Sequence, residues 1–118
     1  MTLEGLQEIC MALPATTEDI KWECHLCFSV GGKMYLITGA DEVPVTASFK
    51  VSDEDFEALC AQEGFIAAPY MAKNKWVKVD DISRLSRKQW KQYLQQAHEI
   101  IAAKLTKKLR KELGLLPA

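Results

Sequence analysis

Trp22 to Thr38, WECHLCFSVGGKMYLIT, is the stretch that decides the fold of this 118-residue chain. Two runs rich in aromatic, aliphatic and β-branched residues flank the pair Gly31-Gly32. A glycine pair supplies the positive φ angles of a tight two-residue turn, so the stretch reads as a β-hairpin. With such a turn Val30 faces Lys33, Phe28 faces Tyr35 and Leu26 faces Ile37. Cys27, Ser29, Met34 and Leu36 then point to the other side. Both faces carry apolar residues and both need cover. The remaining chain must supply that cover or extend the sheet.

Upstream, Leu3, Leu6, Ile9, Cys10 and Leu13 recur at helical spacing, with Thr2 as N-cap and Pro14 beyond the end. Thr16 to Ile20 leads into the hairpin. Downstream, Gly39 to Pro44 is a polar loop, and Val45 to Val51 alternates as the next strand, antiparallel to the hairpin. Ser52 caps a second helix, with Asp53, Glu54 and Asp55 in its first turn, Phe56, Leu59 and Cys60 facing inward, and Gly64 ending it. Phe65 to Ala68 and Lys75 to Val79 form a looser second hairpin around Ala72-Lys73-Asn74, with Trp76 set apart from the lysines across the faces or at the strand ends. Ser86-Arg87-Lys88-Gln89 fits a capping box. Trp90, Leu94, Ala97, Ile101, Leu105 and Leu109 then follow at steps of three or four, up to a stop at Gly114 and Pro117. A helix from there to about Leu113 would span on the order of 40 Å. That is long for so small a domain, so its basic end projects or breaks near Thr106. The expected order is α-β-β-β-α-β-β-α: a single α+β domain over 1–118, two layers, with an antiparallel sheet of about five strands packed with helices.

Bulk composition narrows the function classes. Hydrophobic content of 48% and charged content of 26% suit a globular domain. No apolar run reaches the roughly 20 residues of a membrane-spanning helix. The N-terminus has no basic start of the kind that opens a signal peptide, and the four scattered cysteines do not form a disulfide framework; both point to the cytoplasm. Net charge is −1 and the pI about 6.1, but the charge is unevenly spread. Residues 1–72 hold three basic and twelve acidic residues, whereas residues 73–111 hold twelve basic and three acidic. Such polarity suggests one continuous basic surface supplied by the C-terminal third.

The string Glu18-Asp19-Ile20-Lys21-Trp22, followed by His25 to Tyr35, resembles the MmcQ/YjbR family of small bacterial proteins. Ala47-Ser48-Phe49-Lys50, Ala68-Pro69-Tyr70-Met71-Ala72, Trp76-Val77 and the basic Lys104-Leu105-Thr106-Lys107-Lys108 are similar as well. The chain departs from the family pattern at Ala97-His98, where a Ser-Tyr pair is common, and at Thr106, where a Pro is common. The second departure favours a continuous final helix. The resemblance implies a fold like that of secretion chaperones, with hairpins described as a double wing and linked to DNA binding, and brings no catalytic residues with it.

The residues themselves give no enzyme. Cys24-His25-Leu26-Cys27 supplies half of a zinc site, and it lies on a strand rather than at the helix start that a redox pair needs. Neither a metal nor another cofactor is therefore expected. Ser29 and Ser48 lack a glycine elbow, Asp80-Asp81 and Asp41-Glu42 read as loop carboxylates, and Gly31-Gly32-Lys33 lacks phosphate-loop spacing. What remains is a non-enzymatic DNA-binding surface built from Lys33, Lys73, Lys75 and Lys78 at the hairpins and Arg87, Lys88, Lys91, Lys107 and Lys108 on the final helix. Its affinity for double-stranded DNA should be weak, about micromolar, and salt-dependent. The alternative is a protein-interaction or chaperone-like module that binds a partner or forms a homodimer through a sheet face. A third reading is a small-ligand crevice at Trp22, His25, Tyr70 and Trp76.

Overall fold

A computed structural model describes residues 1–21, 25–69 and 74–115. In chain order they form α1 (Leu3–Met11), β1 (Thr16–Lys21), β2 (His25–Val30), β3 (Lys33–Gly39) and β4 (Thr46–Lys50). There follow α2 (Asp53–Cys60), β5 (Phe65–Ala67), β6 (Trp76–Val79), a 3-10 turn at Ile82–Arg84, α3 (Arg87–Ala102) and α4 (Lys107–Glu112). The strands make a single antiparallel sheet in the order β1-β2-β3-β4-β6-β5. Helices α1 and α3 pack on the sheet, and α2 packs on β5 and β6. This is the expected α+β domain, with six strands instead of about five.

The additional strand is β1. Its residues, Thr-Thr-Glu-Asp-Ile-Lys, are mostly exposed and show no apolar alternation. Their backbone groups nevertheless pair with β2 from Thr16↔Val30 to Lys21↔His25. An edge strand needs only one hydrogen-bonded neighbour, and a charged edge discourages pairing with another chain.

The central hairpin turns at Gly31 (φ 58°) and Gly32 (φ 81°), the positive φ pair of a type I′ turn. Val30 pairs with Lys33 as expected, but the register then slips between Phe28 and Ser29. Phe28 faces Leu36 and Leu26 faces Thr38, in place of Tyr35 and Ile37. Tyr35 is left without a partner on β2, as the extra residue of a β-bulge. The bulge lets the adjacent residues Tyr35 and Leu36 both enter the core, where strict alternation would place only one. Tyr35 shares a 2.9 Å hydrogen bond with Thr16 Oγ1 and meets the His98 ring edge-on, with centroids 5.4 Å apart.

Core rows run across the sheet beneath the helices. Phe28, Leu36, Phe49 and Val77 form one, and Leu26, Ala47, Val79 and Phe65 another. Phe49 packs against Trp90 at a centroid separation of 5.1 Å, and Trp90 Nε1 donates to the Ile82 carbonyl at 2.8 Å. The opposite face carries Cys27, Ser48, Lys50, Trp76 and Lys78. Trp76 therefore shares a face with Lys78, not the separation expected, because positions two apart on a strand point the same way.

The final helix is not continuous. Helix α3 begins at the expected capping box, Ser86 with Gln89, and ends at Ala102. Thr106 then takes an extended conformation (φ −62°, ψ 153°), and its hydroxyl accepts from Leu109 N at 3.1 Å, starting α4. A threonine is as able to start a helix as to continue one, and here the capping bond prevails. The expected break near Thr106 is present; the continuous helix suggested by the missing proline is not.

Candidate nucleic-acid interface

Strand directions place the β2–β3 turn, the end of β4 and the start of β6 at one end of the sheet. Lys33, Lys50 and Lys75 lie there. The chain leaving α3 comes to the same end, because Leu105 packs against Gly31. It brings Lys104 with it, and Lys107 and Lys108 follow within four residues. Lys33, Lys104, Lys107 and Lys108 are exposed.

Lys50 is the buried member of this group, at 8% exposure. Its Nζ donates to the Asn74 carbonyl. Burial lowers its pKa, and the charges of Lys104 and Lys75 lower it further, while Asp53 at the start of α2 acts in the opposite direction. Lys75 takes a left-handed conformation (φ 59°), its carbonyl accepts from Val51 N at 3.0 Å, and its ammonium sits 4.9 Å from the centre of the Phe56 ring. Sequence reasoning left Lys50 out of the site because a lysine in an alternating strand reads as an outward residue. Its position near the end of a strand that runs toward the Gly31-Gly32 turn was the available signal.

The other predicted cations lie elsewhere. Arg87, Lys88 and Lys91 occupy the first turns of α3, about 20–25 Å from Lys104 at 1.5 Å per residue. Arg87 pairs with Glu8 of α1 at 3.1 Å. Lys78 lines a groove that also holds the carboxylates of Glu42 and Asp80. Asp80 is bonded to Arg84 at 2.5 Å, which lowers its pKa. These are the only two ion pairs among the described residues. The basic C-terminal third is thus divided between two ends of α3, not spread over one continuous surface. Lys73 lies outside the described residues.

Of the aromatic crevice, Trp22 and Tyr70 lie outside the described residues. His25 and Trp76 are at opposite ends of the inner strands β2 and β6, with β3 and β4 between them, roughly 20 Å apart by strand spacing and rise. His25 Nδ1 donates to the Thr38 carbonyl at 3.0 Å, and Trp76 is 5% exposed. Cys24 is also outside the described residues. Cys27 is a buried free thiol whose pKa is raised, chiefly by burial. Among the described residues no three His, Cys, Asp or Glu side chains gather as a metal site requires, and no helix is long and apolar enough to cross a membrane.

A crystal structure of a Deinococcus radiodurans protein carrying the domain DUF419 is similar over 98% of this chain and 89% of its own, with a TM-score of 0.87 and 28% identity. A Pseudomonas syringae protein of known structure is similar over 86% of this chain and 99% of its own, with a TM-score of 0.69 and 18% identity, a likeness of fold. No curated protein matches the chain. The YjbR family model matches residues 11–100, from the end of α1 through most of α3. With the strand order and the two structural likenesses, that match settles the assignment: the chain belongs to the YjbR family.

Proposed function

We propose that the protein is a non-enzymatic, cytoplasmic accessory module that holds the phosphate backbone of duplex DNA at the turn end of its sheet. The observation that carries this reading is the gathering of Lys33, Lys50, Lys75 and Lys104 at the turn end of the sheet, with Lys107 and Lys108 three and four residues further along the chain. None of them has a carboxylate ion-pair partner among the described residues. Bringing like charges together costs free energy in the free protein, and a polyanion that neutralises them recovers it while releasing counterions. The exposed lysines are point charges on flexible stems, suited to contacts that orient a duplex without reading its sequence. Asp53 and the acidic first turn of α2 limit the strength of the site. The test is binding of mixed-sequence duplex DNA at 50 and 200 mM salt to the wild type and to a Lys33→Glu, Lys104→Glu variant. Loss of binding in the variant is expected; unchanged binding would remove the reading.

The protein-interaction reading has less to stand on. Every residue of β2 from Leu26 to Val30 is buried, so that strand offers no exposed apolar surface. The exposed large apolar residues on strands are Ile20 (66%) on β1 and Ile66 (56%) on β5, at opposite edges of the sheet. Sedimentation over a range of concentrations distinguishes the two readings, since a module that dimerises through an edge changes mass and a monomeric DNA binder does not.

A further inference from the structure

A groove of about 370 Å³ runs between the residues that follow α1, the last turns of α3, and α4. Leu13, Pro14, Ala102 and Leu115 supply apolar wall, and Glu99 and Arg110 bring one charge of each sign. The volume is at the lower end of that of small-molecule pockets. His98 also lines it but is already engaged, donating from Nε2 to the Pro14 carbonyl at 2.7 Å with its ring against Tyr35. The two charged groups are in a different position. Among the described residues Arg110 Nε is buried with no hydrogen-bond partner, and a buried guanidinium donor left unpaired is costly. Neither Arg110 nor Glu99 forms an ion pair among the described residues, and they do not pair with each other. A cation and an anion that line one partly apolar groove without pairing to each other match a ligand that carries both charges.

We infer that this groove binds a small zwitterion of the α-amino-acid class with an apolar side chain. Its carboxylate is received by Arg110, its ammonium by Glu99, and its side chain lies against Leu13, Ala102 and Leu115. A simple anion would leave Glu99 unpaired and facing a like charge; a simple cation would leave the Arg110 donor unsatisfied. The inference uses residues separate from the lysines of the DNA reading, and the two stand or fall independently.

The experiment is an amide chemical-shift titration of the full chain with L-leucine, with leucinamide, which lacks the carboxylate, and with 4-methylpentanoate, which lacks the ammonium. L-Leucine should shift the amides of Ala102, Ala103, Arg110 and Leu115, and each analogue should bind about fivefold more weakly, the value of one partly exposed charge pair. Arg110→Gln should weaken L-leucine by a similar factor. Glu99→Gln, at an exposed position that leaves folding intact, should weaken L-leucine and leave 4-methylpentanoate unaffected or tighter. Absence of shifts in the groove at millimolar L-leucine, equal binding of the three probes, or insensitivity to Glu99→Gln would overturn the inference.

Discussion

Leu105 lies directly on Gly31: a methyl group added at that glycine would stand 2.5 Å from Leu105 Cδ1. The contact joins the turn of the first hairpin to the segment between α3 and α4, and it brings Lys104 to the hairpin end. Gly31 therefore answers two demands, a positive φ and a close neighbour, whereas Gly32 answers only the first, with nothing within 4 Å of its missing side chain. Gly31→Ala should cost about 2–3 kcal/mol and Gly32→Ala about 1 kcal/mol, combining left-handed strain with overpacking. Urea denaturation of the two variants checks the order; equal losses would remove the Leu105 contact from the account.

Thr106 starts α4 through its hydroxyl bond to Leu109 N. Thr106→Ala should destabilise α4 by about 1 kcal/mol, and Thr106→Ser should not. Because α4 has no fully buried residue, the loss should appear as faster hydrogen exchange confined to residues 109–113 while exchange in the sheet is unchanged.

Trp90 combines a buried ring against Phe49 with one hydrogen bond to the Ile82 carbonyl. Trp90→Phe keeps much of the ring but leaves that carbonyl without its donor, and should cost about 2–3 kcal/mol. Phe49→Ala should cost about 3–5 kcal/mol by opening a cavity under the same ring. The two residues touch, so a double-mutant cycle should show non-additive losses.

Cys10 and Tyr35 are buried against each other, and burial raises both of their pKa values, that of Cys10 from 9.0 to about 12 and that of Tyr35 above its ordinary 10.0. Above pH 9 the unfolded chain loses these protons while the folded chain keeps them, so the unfolded state binds fewer protons and stability falls as pH rises. Their contribution is fully present below pH 9 and lost progressively as pH approaches 12. The urea midpoint should be lower at pH 10.5 than at pH 8, and Cys10→Ala should reduce that difference. In the native state Cys10 should also resist thiol reagents near neutral pH.

Most of the architecture was legible because it follows from local rules. The Gly31-Gly32 turn, the caps at Thr2 and Ser52 and the Ser86–Gln89 box each depend on residues close in sequence. What was not legible depends on partners distant along the chain. The β1 strand is polar and exists because β2 offers it backbone groups. The bulge at Tyr35 is set by Thr16 and His98, 19 and 63 residues away, and Thr106 caps or continues a helix according to what surrounds it. The same limit applies to the candidate interface. A one-dimensional charge count cannot tell that Arg87 pairs with Glu8 of α1, that Lys78 shares a groove with Glu42 and Asp80, or that the charge of Lys104 acts on Lys50.

The most direct test of the cationic hairpin end compares two charge reversals of equal size in the same DNA-binding titration. One is Lys33→Glu with Lys104→Glu at the turn end; the other is Lys88→Glu with Lys91→Glu at the far end of α3. At 50 mM salt the first pair should weaken duplex binding by at least about tenfold and flatten its salt dependence by about two phosphate contacts, while the second leaves both within about twofold. Equal losses from the two pairs, or no measurable duplex binding by the wild type at that salt, would contradict the account.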